Sequence, residues 1–296
     1  MITVPQNTKI SYEKLVLRVS GQHLPRMKTE NEVAVMTWVK QNTSIPIPDL
    51  VAFDASSTTN AIGHEYTLLS LIEGTALSEK HQSLTEAQIS SILDKLADYL
   101  NQLHTHSWDT IGSLRLNGAG EAILGRIVDE TFWQAPEMKK LWPAEESVDS
   151  LNIGGPYSTY VDLVSAQIKT YIHLINIHLI NIHLINIHLI NIHLINIHES
   201  LTFMRDAIPR LEAFVKALSE HAEQLNDVQL RLAHKDLHFA NSLYNSDSGK
   251  ITAILDWEFS GVVPFPLWNP RRSFRWNASD DESSLAAKEQ LSKLFE

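Results

Sequence analysis

The chain has no cysteine in 296 residues. That absence excludes disulfides, zinc–thiolate sites, iron–sulfur clusters and a cysteine nucleophile, and it fits a reducing compartment such as the cytoplasm. Basic residues are also scarce: 24 Lys and Arg stand against 35 Asp and Glu, a formal charge of −11. A chain of that sign is ill suited to phosphate backbones, so nucleic acid is not an expected partner. Glycine is thin at the front, with none before Gly21. Neither Gly-x-Ser-x-Gly nor His-Glu-x-x-His occurs, which removes the patterns of serine hydrolases and zinc proteases. Residues 1–20 carry Gln6, Asn7, Lys9, Glu13, Lys14 and Arg18, so no apolar stretch of signal-peptide length is expected there.

What remains is a globular composition, 44% hydrophobic and 20% charged, long enough for one large domain or two modest ones. One run without Asp, Glu, Lys or Arg, residues 172–198, has the length to cross a bilayer. Eleven of its 27 residues are His or Asn, which is unfavourable in hydrocarbon, so no membrane partner is expected. Within it, residues 173–197 repeat His-Leu-Ile-Asn-Ile five times. On a helix each copy rotates the pattern by roughly 140°, and on a strand an odd period alternates the faces. Neither geometry yields one apolar stripe. The repeat therefore reads as a tandem duplication that lengthens a surface helix. Its histidines, spaced by five, miss the helical spacing that a metal pair requires.

Elsewhere strand and helix patterns alternate. Residues 15–19 are β-branched-rich and read as a strand. Residues 29–40 read as a helix opened by Thr29 and Glu32 at capping-box spacing; Ile45-Pro-Ile-Pro48 ends it. Residues 49–54 and 65–72 read as strands. Residues 84–104 form an amphipathic helix with Ile89, Ile92, Leu93, Leu96, Leu100 and Leu103 on one side, and His104 and His106 read as groups capping its end. Residues 117–158 look irregular, residue 161 onward helical through the repeat, and 201–225 helical again. Early strands and late helices indicate an α+β chain with two lobes.

Chemistry concentrates in two segments. In His234-Lys-Asp-Leu-His-Phe-Ala-Asn241, His234, Asp236 and Asn241 follow an apolar strand-like run; in Ile254-Leu-Asp-Trp-Glu-Phe-Ser-Gly261, Asp256 ends the next one. The turn residues between them suit a hairpin, which would bring Asn241 and Asp256 together. An amide oxygen and a carboxylate suit Mg²⁺, which prefers hard oxygen ligands and takes few from protein. A separate carboxylate, Asp236, could orient an acceptor hydroxyl and receive its proton. His234 reads as a support of the loop, and His238 and Glu258 as neighbours of the motif without a direct role.

These two segments resemble the catalytic loop and metal-binding segment of the aminoglycoside phosphotransferase family, which includes choline-kinase-like small-molecule kinases. The resemblance runs from about residue 15 to 268, the repeat excepted. It implies a bilobal protein-kinase-like fold, with a β-rich lobe over residues 1–73, a mainly helical lobe over 74–296 and the repeat, 173–197, inserted in the latter. It implies ATP and Mg²⁺ as cofactors, Asp236 as the catalytic carboxylate and Asn241 and Asp256 as metal ligands. Arg18 stands where the family carries a phosphate-contacting lysine, and Glu32 where it carries that lysine's partner, though Glu32 could equally complete the capping box. Ser70 and Leu71 fall in the interlobe hinge, where backbone would meet adenine. Lys235 replaces the usual glycine of the catalytic loop. The Gly-rich loop over the phosphates is missing or replaced, and 40 residues follow Asp256, so the chain reads as an abbreviated member. The expected activity is transfer of a phosphoryl group to a hydroxyl of a small molecule; the rival is a degenerate, non-catalytic binding protein of the same fold.

Overall fold

A computed structural model describes residues 1–3, 12–142, 144–177 and 202–268, together with 289 and 293. The first part is an antiparallel sheet in the order β1-β2-β4-β3, formed by β1 (Ile2–Thr3), β2 (Lys14–Ser20), β3 (Leu50–Asp54) and β4 (Glu65–Ser70). Helix α1 (Met27–Asn42) lies between β2 and β3 in sequence and buries Val33, Ala34, Val35 and Val39. Its start differs from the expected capping box. Thr29 is inside the helix and its hydroxyl donates to Glu65 Oε2 at 2.7 Å, while the Arg26 N–H donates to Glu65 Oε1 at 2.8 Å. A buried carboxylate from β4 thus meets the orphan donors and positive dipole end of the helix. Local sequence cannot reveal a cap contributed from 36 residues away.

After the short strand β5 (Thr75–Ala76) and helix α2 (Leu77–Lys80), helix α3 (Glu86–His104) runs as the stripe demands, with all six expected apolar residues and Tyr99 buried. Thr85 and Gln88 form its capping box. Its end is closed by the Thr105 hydroxyl, which donates to the Gln102 carbonyl at 2.9 Å. His104 and His106 are not caps: the first turns to Arg231 and the second packs T-shaped against Trp38, ring centres 4.7 Å apart. Strand β6 (Leu114–Leu116) pairs with β7 (Ala122–Leu124), and the stretch expected to be irregular, 117–158, contains β7 and the short helices α4 (Ala135–Leu141) and α5 (Val148–Leu151). Helix α6 (Tyr160–Ile177) takes in the first copy of the repeat; residues 178–197 lie outside the described residues. Helix α7 (Thr202–Glu220) packs on α6, followed by α8 (Ala222–Leu225).

The C-terminal strands are β8 (Leu230–Ala233), β9 (Ser242–Asn245), β10 (Lys250–Ile254) and β11 (Gly261–Pro264). β9 and β10 are the expected hairpin, closed through Gly249 at φ +67°, and β5 adds to its edge; β8 pairs with β11. One apolar cluster joins both halves: Val35, Val39 and Leu69 share it with Leu93, Leu96, Leu232 and Trp257. Each such side chain, buried completely, contributes about 1.5–3 kcal/mol. Asn31 adds a polar tie. Its Nδ2 donates to the carbonyls of Glu258 and Ser260, both at 2.9 Å, and its Oδ1 accepts from the Leu114 N–H at 2.8 Å. That one amide holds α1, β6 and the 256–260 segment together. Among the described residues no helix is long and apolar enough to cross a membrane.

Candidate active site

Strand β8 buries Leu232 and Ala233 completely and delivers His234 into the interior with no exposed surface. The Asp236 N–H donates to His234 Nδ1 at 3.3 Å, which leaves Nε2–H to donate to the Leu255 carbonyl at 2.8 Å. Burial pushes this imidazole down to about 4, so it stays neutral. Its role is the supporting one expected: it locks the Asp236 loop to the strand end that bears Asp256. A second histidine repeats the device. The Ala240 N–H donates to His238 Nδ1 at 3.2 Å, and Nε2 faces Asp236 Oδ1 at 3.3 Å.

Asn241 completes this loop. Its Nδ2 donates to both the carbonyl oxygen and Oδ2 of Asp236, at 3.0 and 2.9 Å, and its own carbonyl accepts from the Leu255 N–H at 2.8 Å. The hairpin therefore does bring Asn241 beside the Asp256 strand. Burial works to raise the Asp236 carboxyl, but His238, His234 and the Asn241 amide outweigh it and hold the group below the usual carboxylate range. An ionised, doubly hydrogen-bonded carboxylate of this kind orients a hydroxyl better than it strips its proton.

Arg18 reaches from β2 across the cleft. It pairs with Glu32, and Nη2 stands 3.1 Å from Asp256 Oδ1 and 3.3 Å from Glu258 Oε2. The alternative left open for Glu32 is settled: it pairs with Arg18 and does not cap α1. Lys28 joins the set at 2.9 Å from Glu258. Burial pushes Glu32 up to about 7, with Arg18 pulling down and Glu258 and Asp256 pushing further up. Glu258 was not foreseen as part of this cluster. Its signal was only its position two residues after Asp256; β2 and α1 had to fold before its partners were visible.

Arg18, Glu32, Ser70, Leu71, Asn241 and Asp256 all line one cavity of about 450 Å³, whose wall also includes the apolar Val16, Met36 and Leu243. Asp236 is not in that wall but is bonded to Asn241 at its edge. At the Ser70 lip the backbone donors are already used: the Ser70 N–H goes to the Asp49 carbonyl at 2.9 Å and the Leu71 N–H to that of Lys14 at 3.3 Å. Gly74 follows at φ +154°, and a Cβ there would lie 2.7 Å from Thr252 Oγ1. Only glycine lets this crossing point close onto the β9–β10 hairpin.

Two residues of the site sit in left-handed backbone, Lys235 at φ +65° and Asp256 at φ +68°. That conformation explains why glycine suits position 235. Lys235 is kept there by its ammonium, 2.7 Å from Asp129 Oδ2 and 3.2 Å from the Val128 carbonyl. As for a metal, Asn241 keeps Oδ1 and Asp256 keeps Oδ2 as acceptors outside the bonds just described. Two such oxygens fit Mg²⁺, which draws the rest of its shell from water and phosphate. Among the described residues no group of three or more His, Asp and Glu is arranged to hold a metal.

The phosphotransferase enzyme family matches over residues 6–148 and 196–265. The chain belongs to this family. A subtelomeric hrmA-associated cluster protein of Aspergillus fumigatus is 25% identical over 121 residues, covering 38% of this chain and 24% of that protein. The clavilactone A biosynthesis cluster protein Y of Ampulloclitocybe clavipes is 24% identical over 251 residues, covering 81% of this chain and 53% of that protein. The chain thus spans between about a quarter and a half of these curated relatives. Among solved structures, a gentamicin complex of aminoglycoside phosphotransferase APH(2")-IIa aligns with TM-score 0.49 at 13% identity, covering 96% of this chain and 70% of that one. A thermostable mutant of APH(4)-Ia aligns with TM-score 0.46 at 17% identity, over 95% and 70%. The mixed helix-and-sheet fold is that of the family, as the resemblance implied.

Proposed function

We propose that this phosphotransferase-family chain transfers the γ-phosphoryl group of ATP, with Mg²⁺, to a hydroxyl of a small molecule. The observation that carries the reading is the convergence of Arg18, Glu32, Asn241 and Asp256 on one cleft, with Asp236 bonded to its edge. Adenine would lie against Val16 and Leu243 and use the carbonyls, not the N–H groups, of Ser70 and Leu71. Asn241 and Asp256 would hold Mg²⁺, which neutralises phosphate charge when bound. Arg18 would turn from Asp256 to the phosphates, steadied by Glu32. Asp236 would orient the acceptor hydroxyl and take its proton. The β-rich part, residues 1–73, and the helical part, 74–296, would be the two lobes that close on the nucleotide.

A second reading, a non-catalytic binding protein, is favoured by one feature: Arg18 already occupies an Asp256 oxygen, so Mg²⁺ must displace a cation to bind. The test is ATP turnover by the full chain against pooled amino alcohols, sugars and aminoglycosides, with and without Mg²⁺. Turnover that is lost on chelation and in Asp236→Ala supports the kinase. Mg²⁺-dependent ATP binding without turnover on any pool supports the binding protein.

A further inference from the structure

Lys28, the second residue of α1, keeps only 15% of its side chain exposed, and among the described residues its ion-pair partner is Glu258, 2.9 Å from Nζ. It lies one turn before Glu32, so the two share a helix face. Neither Lys28 nor Glu258 lines the nucleotide cleft, whereas Arg18, Glu32 and Asp256 do. Lys28 therefore meets the cleft only through Glu258.

Glu258 Oε2 has two cations beside it, Lys28 Nζ at 2.9 Å and Arg18 Nη2 at 3.3 Å. The same Nη2 stands 3.1 Å from Asp256 Oδ1, and Nη1 pairs with Glu32. Turning Arg18 to the phosphates of a nucleotide would thus take a cation from two carboxylates at once. At Asp256 the metal would replace it. At Glu258, outside the cavity, nothing from the ligand can. Nor is Glu258 free to move with Arg18, because its carbonyl accepts from Asn31 Nδ2 at 2.9 Å, which ties its backbone to α1, and its side chain is 16% exposed. A largely buried carboxylate that loses its last cation is strongly unfavourable. Without Lys28, Glu258 would hold Arg18 in its resting place.

We infer that Lys28 is a positioning residue for nucleotide binding: by keeping Glu258 neutralised, it releases Arg18 to the phosphates. The inference rests on the phosphotransferase reading, and Lys28 itself touches no part of the ligand.

The test measures ATP binding to the full chain at saturating Mg²⁺ by ligand-observed NMR. Lys28→Met should weaken ATP by about tenfold or more, the scale of leaving a charged group unpaired. Adenosine, which has no phosphate to draw Arg18 away, should bind as before. Lys28→Arg keeps the charge and should bind ATP nearly as wild type does. Glu258→Gln, alone or combined with Lys28→Met, should bind ATP at least as tightly as wild type, because Arg18 then leaves no charge behind. In an Arg18→Gln background, weaker at the outset, adding Lys28→Met should cause no further loss; a long-range field from the ammonium would cause the same loss with or without Arg18. Undiminished ATP affinity in Lys28→Met, an equal loss for adenosine, or the full loss in the Arg18→Gln background would overturn the inference and leave the kinase reading standing. If Lys28→Met fails to fold, Glu258→Gln decides, and weaker ATP binding than wild type overturns the inference. A wild-type chain that binds no ATP with Mg²⁺ overturns the phosphotransferase reading, and this inference with it.

Discussion

The two cavities are built on opposite electrostatic plans. In the cleft, three carboxylates, Glu32, Asp256 and Glu258, surround Arg18, with Lys28 behind. In a second cavity, of about 510 Å³ and lined among others by His104, Trp108, Tyr160, Gln229 and Arg231, Arg231 meets rings and amides and, among the described residues, no acid. The cleft neutralises itself, so it must open an ion pair before it accepts a cation or a phosphate. The second cavity is not neutralised: Arg231 uses its Nη donors on His104 and Gln229, and neither brings a charge. Chains with a net negative charge can still present a local positive site, because pairing and not the total sets the local field.

The largest break in this comparison is at the Asp236 loop. Asp236→Ala should lower turnover by about a hundredfold or more, the scale of losing a positioned acid–base group. Mg²⁺-dependent ATP binding should persist, because Asn241 and Asp256 remain. Asp256→Ala should instead abolish that binding, as read by calorimetric titration with and without Mg²⁺. Equal binding losses in both variants would mean a structural loop without divided labour.

Gly74→Ala should be the next in size. The added methyl meets Thr252 Oγ1 in a backbone conformation that L side chains rarely adopt, and strain plus overpacking of this kind costs about 1–3 kcal/mol. A lowered thermal midpoint with weakened nucleotide binding is expected. An unchanged midpoint would show that the crossing point tolerates the methyl.

Lys235→Gly sets two terms against each other. Glycine relieves the left-handed backbone, worth about 1 kcal/mol, but leaves the half-buried Asp129 carboxylate without its ammonium, at about 1–3 kcal/mol. The net expectation is a modest loss of stability. Adding Asp129→Ala should restore part of it, and a double-mutant cycle measures the coupling. Additive effects would show that the pair is not holding the loop.

The smallest effects are in pH. His234 and His104 have folded values near 4, below the ordinary 6.5. Between those values the unfolded chain binds more protons, so their contribution is lost as pH falls below 6.5. Glu32 works the other way: its folded value is about 7 against 4.5, so the folded state gains on acidification between those values. Glu32→Gln should therefore make the acid loss of stability steeper, measured by denaturant unfolding at several pH values. A shallower dependence would contradict the buried position of Glu32.

Much of this was legible in one dimension because it depends on neighbours in sequence. The α3 stripe repeats with helical period, and its apolar residues had one face to bury. The 245–249 turn closes a hairpin with few residues, so Asn241 and the Asp256 strand had to meet. Asn241 and Asp256 were named from their order after two apolar runs, and Arg18, Glu32, Ser70 and Leu71 from the family resemblance. Tertiary structure decided what those groups touch. Thr29 and Glu32 have capping-box spacing, yet Glu65 from β4 holds the helix start and Glu32 turns to Arg18. His104, at a helix end, faces Arg231 across 127 residues of chain and not the last carbonyls. Spacing sets which face a side chain is on, through the fixed geometry of helix and strand. Which partner it meets on that face depends on which elements pack there, and burial then sets the charge it carries.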